Sequence, residues 1–401
     1  MIRLSKKVNL KKNQFIPYGR QDINLRDIFN VLKILKSDFI TNGPAIEKFE
    51  NEISKYCKSR YALAVNSATS ALHLSCLALN LKKGDWLWTS PISFVASANC
   101  GIYCGAKIDF VDINIENGLM DIKALESKLQ IAAKNGTLPK VIIPVHLAGT
   151  SCDMESIFKL SKQYGFSIIE DASHAIGGKY KGLPVGSCKY SDITVFSFHP
   201  VKLITTGEGG AALTNNEKIA EKISDLRSHG IIKDQKRFID QDPSPWLYEQ
   251  QYLGFNYRIT DIQASLGLSQ LNRLDKFVSK RNAKLDLYKS RLKSEPINFL
   301  EIPKDVKSSL HLSIIQLNKE LIPFHRQIFI ELRKLLIGVQ LHYLPIHLHP
   351  FYQKFGFKRG QFPKSELFAN SSISIPLYPS LSYFKQLKVI KNLKFVLKNY
   401  K

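Results

Sequence analysis

The chain has 401 residues, 44% apolar and 23% charged, which suits a globular enzyme with a sizeable buried core rather than a disordered or fibrous protein. No run reaches the roughly 18 consecutive apolar residues of a membrane helix, and the N-terminus has no apolar leader, so a cytoplasmic protein without membrane partners is expected. Fifty-seven Lys and Arg against 34 Asp and Glu leave a net charge of +23. No Arg-rich helix or aromatic-basic repeat gathers that charge, so it reads partly as a Lys-rich composition and partly as attraction for an anionic ligand, and charge alone does not decide the matter.

Residues 1–16 read as a basic arm, carrying Arg3, Lys6, Lys7, Lys11 and Lys12. Asn24 can cap a helix with Ile28, Val31, Leu32 and Leu35 on one face. Strand-like and helix-period segments then alternate: Tyr61–Val65, Ala68–Leu79, Trp86–Ser90, Phe94–Cys104, Lys107–Val111, Ile122–Ala133, Val141–Val145, Met154–Tyr164 and Phe166–Glu170. Strand-like Ile193–Phe198 and Ala211–Thr214 close the series. This β–α alternation predicts an α/β fold, a mainly parallel sheet with helices on both faces, over residues 17–260. A long helix at Asp261–Leu292 opens a smaller α+β domain, 261–401. It continues with strand-like Leu310–Leu317, helical His325–Leu336, strand-like Val339–Leu344 and Ile373–Pro376, and a terminal helix.

The six cysteines include no C-x-x-C pair, so reduced buried thiols are expected. His342, His347 and His349 lack the companions of a metal site, and none is expected.

In an open parallel sheet, ligands bind beyond the carboxyl ends of the strands, and the unusual polar residues fall there. Asn66-Ser67-Ala68-Thr69-Ser70 leads from a strand into a helix, where small residues let backbone N–H groups approach a phosphate. Read alone, the same residues serve as an ordinary cap. Another strand ends on Glu170-Asp171, followed by Ala172-Ser173-His174. Ser197-Phe198-His199-Pro200-Val201-Lys202 follows a third and precedes a Gly-rich turn. Pyridoxal phosphate (PLP) needs a Lys to form its Schiff base and a carboxylate to keep the pyridine nitrogen protonated. Asp171, Ser197 and Lys202 together supply that set.

SFHPVKLITTGEGG, IIEDASHAIGG and NSATSALHL resemble the DegT/DnrJ/StrS-type sugar-nucleotide aminotransferases of the fold-type I PLP group. IPYGRQDI, PISFVASANC, EQQYLGFNYRITDIQASLGLSQL and LHYLPIHLHPFYQKFGF are similar to one subgroup, the UDP-4-amino-4,6-dideoxy-N-acetyl-β-L-altrosamine transaminases of pseudaminic acid biosynthesis. The resemblance implies Lys202 as the Schiff-base lysine, Asp171 as partner of the ring nitrogen, Phe94 stacked on the ring and His174 beside it. It implies Ala68, Thr69 and Ser197 around the phosphate, joined by Asn256 from the partner subunit of a homodimer with shared active sites. Tyr18, Asp38, Phe39, Ile40, Thr41, His342, Tyr343, Leu344 and Pro345 match substrate-binding segments, beside Ala68, Ser197 and Asn256. The implied substrates are L-glutamate and a UDP-linked 4-keto sugar. Gly149-Thr150-Ser151, Trp86 and Trp88 depart from the family pattern.

Two other readings stay open. One is an aminotransferase acting on another nucleotide-linked 4-keto sugar, of the perosamine or 4-amino-arabinose type. The other is a regulatory or nucleic-acid-binding protein that keeps the fold, favoured by charge but needing neither Lys202 nor Asp171.

Overall fold

A computed structural model describes residues 15–240 and 244–400. The basic stretch Met1–Gln14 lies outside the described residues.

The first helix, α1 (Leu25–Leu35), starts where sequence predicts: Asn24 Oδ1 accepts from the Asp27 N–H while Asp27 accepts from the Asn24 N–H, a capping box. α2 (Pro44–Cys57) opens on a proline, whose missing N–H costs nothing in a first turn. Then come β1 (Tyr61–Val65), α3 (Ala68–Ala78), β2 (Trp86–Thr89), α4 (Ala96–Tyr103), β3 (Lys107–Phe110), α5 (Ile122–Asn135), β4 (Val141–Ile143), α6 (Met154–Tyr164), β5 (Ser167–Asp171), β6 (Ile193–Ser197), β7 (Gly210–Thr214) and α7 (Glu217–Leu226). Bounds differ from the sequence expectation by a residue or two, as element ends commonly do.

The seven strands form one sheet in the order β1-β7-β6-β5-β4-β2-β3. Only β7 runs antiparallel to its neighbours. Alternation along the strands separates two cores. Phe196 and Phe198 pack with Phe49, Ile53 and Leu274 on one face, while Ile193 and Val195 pack with Leu72, Leu74 and Ile223 on the other. Every parallel strand therefore ends at the same edge, and the polar turns after β1, β2, β5 and β6 meet there.

The single helix expected over Asp261–Leu292 is two, α8 (Asp261–Leu271) and α9 (Leu274–Arg291). The break falls at Asn272-Arg273, where the Arg273 guanidinium donates to Asp22 at 2.8 Å and pairs with Asp27. Beyond α9, β8 (Ile297–Phe299), β9 (Ser313–Leu317) and β10 (Ser372–Ile375) form an antiparallel sheet, backed by α10 (His325–Lys334) and the C-terminal helix Tyr383–Lys398. Val339–Leu344 is not a strand. Only Gln340 pairs with β10, at Ser374, and the chain then turns along the cavity described below. Ile16, read from sequence as the end of the arm, is buried in this second core and exchanges backbone hydrogen bonds with Leu336 and Gly338.

Candidate active site

The strand ends and the turn after Val339 enclose a cavity of about 850 Å³, within the range of about 300–1,000 Å³ that holds small-molecule ligands. Tyr18, Ala68, Thr69, Phe94, Asp171, His174, Ser197, Lys202, His342, Tyr343 and Leu344 all line it.

Asp171 is the last residue of β5 and is buried. Ser97 of α4 donates its hydroxyl to Asp171 Oδ2 at 2.5 Å, and the Ser173 N–H donates to Oδ1 at 3.2 Å. Ser93 and Ser97 share a further hydrogen bond of 2.6 Å. This fixes the carboxylate toward the cavity. Lys202 lies in the turn between β6 and β7, its N–H donating to His199 O. Burial pushes its ammonium down to about 8, while the Asp171 carboxylate acts the other way. A lysine in that range is partly neutral near physiological pH, as an amine that must attack a carbonyl and shuttle protons requires.

At the start of α3, Ser67 accepts from the Ser70 N–H at 3.1 Å, leaving the first-turn N–H groups of Ala68 and Thr69 beside the cavity. Gly210 lets β7 pass this turn closely: a Cβ there would stand 2.5 Å from Ala68 N. With Ser197 across from it, this end of the cavity is built for an anion such as a phosphate. The buried carboxylate, the low-lying lysine and the anion cradle together fit PLP.

The opposite wall is aromatic and imidazole. The Tyr343 hydroxyl hydrogen-bonds His174 Nε2 at 3.2 Å, and His342 Nδ1 meets Ser374 Oγ at 2.8 Å. Burial, reinforced by the Lys202 charge, pushes His342 down to about 3. Phe94 is 59% exposed, a placement that suits a ring covering a ligand and not a core residue. Of the other two histidines in that stretch, His347 pairs with Glu366 at 3.0 Å and His349 lines the cavity rim.

Some sequence-derived site residues do not reach this chain's own cavity. Asp38, Phe39, Ile40 and Thr41 are exposed, with Thr41 bridged to Thr260. Asn256 is exposed on the segment bridged to Ser228, and Pro345 turns away as Ile346 N–H donates to Pro91 O. Sequence reasoning missed Ser93, Ser97 and His311. Each is an ordinary residue in its own segment, and only the crossing of elements brings it to Asp171 or His174.

The DegT/DnrJ/EryC1/StrS aminotransferase family matches residues 21–394. The chain belongs to this family. Among its relatives, a UDP-4-amino-4,6-dideoxy-N-acetyl-beta-L-altrosamine transaminase of Campylobacter jejuni is 39% identical, covering 95% of this chain and 96% of the relative. PseC of Helicobacter pylori, an aminotransferase involved in the biosynthesis of pseudoaminic acid, superposes with a TM-score of 0.88 at 31% identity, covering 96% of this chain and 100% of that one. Spr1654 of Streptococcus pneumoniae, named as a candidate sugar aminotransferase and solved in PLP and PMP forms, gives a TM-score of 0.87 in both, at 30% and 31% identity, with 96% and 100% coverage. This DegT-family chain is thus a transaminase of fold-type I architecture with PLP as its cofactor. Among the described residues, no helix is long and apolar enough to cross a membrane.

Proposed function

We propose that this aminotransferase moves an amino group from glutamate to C4 of a UDP-linked 4-keto-6-deoxy-N-acetyl hexose, forming UDP-4-amino-4,6-dideoxy-N-acetyl-β-L-altrosamine. What carries the reaction type is the buried Asp171 facing a Lys202 lowered to about 8 in one cavity. What carries the acceptor is the 39% identity to the altrosamine transaminase over nearly the whole chain.

When bound, PLP supplies the electron sink that makes a proton on the adjacent substrate carbon removable. Lys202 would hold the cofactor, and its amine, partly neutral near physiological pH, would be the group that moves that proton. Asp171, fixed by Ser97 and Ser173, keeps a proton on the ring nitrogen. Ala68 and Thr69 N–H groups and the Ser197 hydroxyl would hold the phosphate, with Phe94, His174 and Tyr343 lining the cavity where the ring would sit. Tyr18, His342 and Leu344 then face the sugar nucleotide.

Asn256 and Asp38–Thr41 come to the site from a second copy. α1 supports that homodimer: Leu25, Ile28, Phe29, Leu32 and Leu35 are each 44–70% exposed along it. A row of that kind marks an interface.

Steady-state kinetics test the acceptor. A pocket that hydrogen-bonds a 2-acetamido group leaves its partners unpaired with an analogue lacking one, at about 1–3 kcal/mol each, or roughly five- to 150-fold in kcat/KM. The UDP-linked 2-acetamido-2,6-dideoxy-β-L-arabino-4-hexulose is expected to exceed dTDP-4-keto-6-deoxyglucose by at least that factor. Equal values would move the enzyme to another acceptor.

A further inference from the structure

His311 lines the cavity just ahead of β9, and no role has been assigned to it above. Its ring packs on that of His174, centroids 4.4 Å apart and planes tilted by 42°. The residue is fixed at both ends. Its N–H donates to Ala148 O at 2.8 Å, and its carbonyl accepts from Arg281 Nη1 at 3.0 Å. Arg281 is fully buried on α9 and also donates to Leu377 O at 3.0 Å, while the Leu377 N–H donates to Tyr18 O. Next to His311, Ser309 donates its hydroxyl to His174 O at 2.9 Å. That junction is tight: a Cβ on Gly149 would lie 2.6 Å from the Ser309 hydroxyl and 2.7 Å from Leu310 N, which accounts for glycine at this departure from the family pattern.

Two observations show what the stacking does. The Nδ1 atoms of His174 and His311 are buried and have no hydrogen-bond partner, so a second proton on either ring would have no acceptor. Of the groups around His174, Lys202 and His342 also oppose one. Lys202, His342 and Tyr343 face it from the cavity, Asp171 precedes it on its own segment, and His311 lies against it with Arg281 behind. Burial pushes His174 well below the usual imidazole range, and Lys202 and His342 push the same way.

We propose that His311 is a positioning residue: seated by Arg281 at the junction of the two sheets, its ring keeps water from His174 and so keeps that imidazole uncharged beside Lys202. The inference rests on Lys202 as the cofactor lysine. An uncharged His174 can hold the Tyr343 hydroxyl without placing a second cation near the amine that must gain and lose a proton.

The test uses enzyme loaded with PLP and follows two readouts against pH, the visible absorbance of the bound cofactor and kcat/KM. His311→Ala opens space beside Nδ1, lets water in, and raises the His174 pKa toward its ordinary value. The variant is expected to show an added ionisation near pH ~6.5, with kcat/KM falling about tenfold more than wild type per pH unit below it. His311→Phe keeps the ring and should lack this ionisation, as should His311→Ala combined with His174→Gln. Arg281→Lys, which loosens the seat and leaves the ring, should show it more weakly and serves if His311→Ala does not fold. A loss equal at every pH, or an absorbance titration unchanged in a folded variant, would overturn the proposal. Failure of the wild-type chain to bind PLP would instead overturn the reading of Lys202, so the two failures are separable.

Discussion

The floor of the cavity and its rim are built differently. On the floor, Asp171, Lys202 and Ser197 stand at or just beyond the ends of parallel strands, Ser97 of one crossing helix holds Asp171, and every one is supplied by a single chain. At the rim, the expected contributors Asp38–Thr41 and Asn256 are exposed and do not line that chain's cavity. The floor carries chemistry that can be assembled in one fold. In the proposed homodimer a second copy would bring its own exposed segments across, and the exposed apolar row of α1 offers a surface for it.

The sharpest way to break this contrast is to remove the floor. Lys202→Ala should lower amino transfer by roughly 10³-fold or more, since both the cofactor attachment and the proton shuttle are lost. The fold should persist, as judged by an unchanged thermal melt of the cofactor-free protein. A variant retaining near wild-type turnover would remove Lys202 from the mechanism.

The rim is tested by mixing. Lys202→Ala and a strongly impaired Asn256→Asp variant, unfolded and refolded together, form hybrids in which one of two sites has both native residues. About a quarter of wild-type activity should return from a random mixture of dimers. No recovery, with hybrids confirmed by mass, would mean that each chain completes its own site.

A smaller effect sharpens the electrostatics of the floor. Burial lowers Lys202 from 10.5 to about 8, so below that pH the amine is mostly protonated and cannot attack the cofactor aldehyde. The rate of PLP uptake by the cofactor-free enzyme should rise about tenfold per pH unit up to about 8 and level off above it. A rise continuing toward 10.5 would show that the lysine is not desolvated.

The same contrast explains what could be read from sequence. The meeting of Lys202, Asp171 and Ser197 in one cavity was legible because each ends or closely follows a strand in an alternating β–α pattern, and such strand ends converge at one sheet edge. Ser97 was not, because a serine inside a helix gives no sign that α4 crosses the end of β5. His311 was hidden likewise, meeting His174 only through the junction held by Arg281. Apolar periodicity found α1 correctly but could not say that Ile28, Leu32 and Leu35 point outward, since an interface stripe and a core stripe have the same period. Val339–Leu344 read as a strand from its alternation. Its polar members instead serve the cavity, leaving only Gln340 paired to a neighbour.

The proposed amino transfer to the C4 ketone of a UDP-linked sugar can be followed atom by atom. Incubating the PLP-loaded enzyme with isotopically labelled glutamate and the UDP-linked 2-acetamido-2,6-dideoxy-4-hexulose, then taking the product's mass and fragmentation, tests it directly. The expected product is a UDP-amino sugar whose C4 amine carries the label, placed on the amino nitrogen of the glutamate. A sugar recovered unlabelled, or changed only by loss of water, would contradict it.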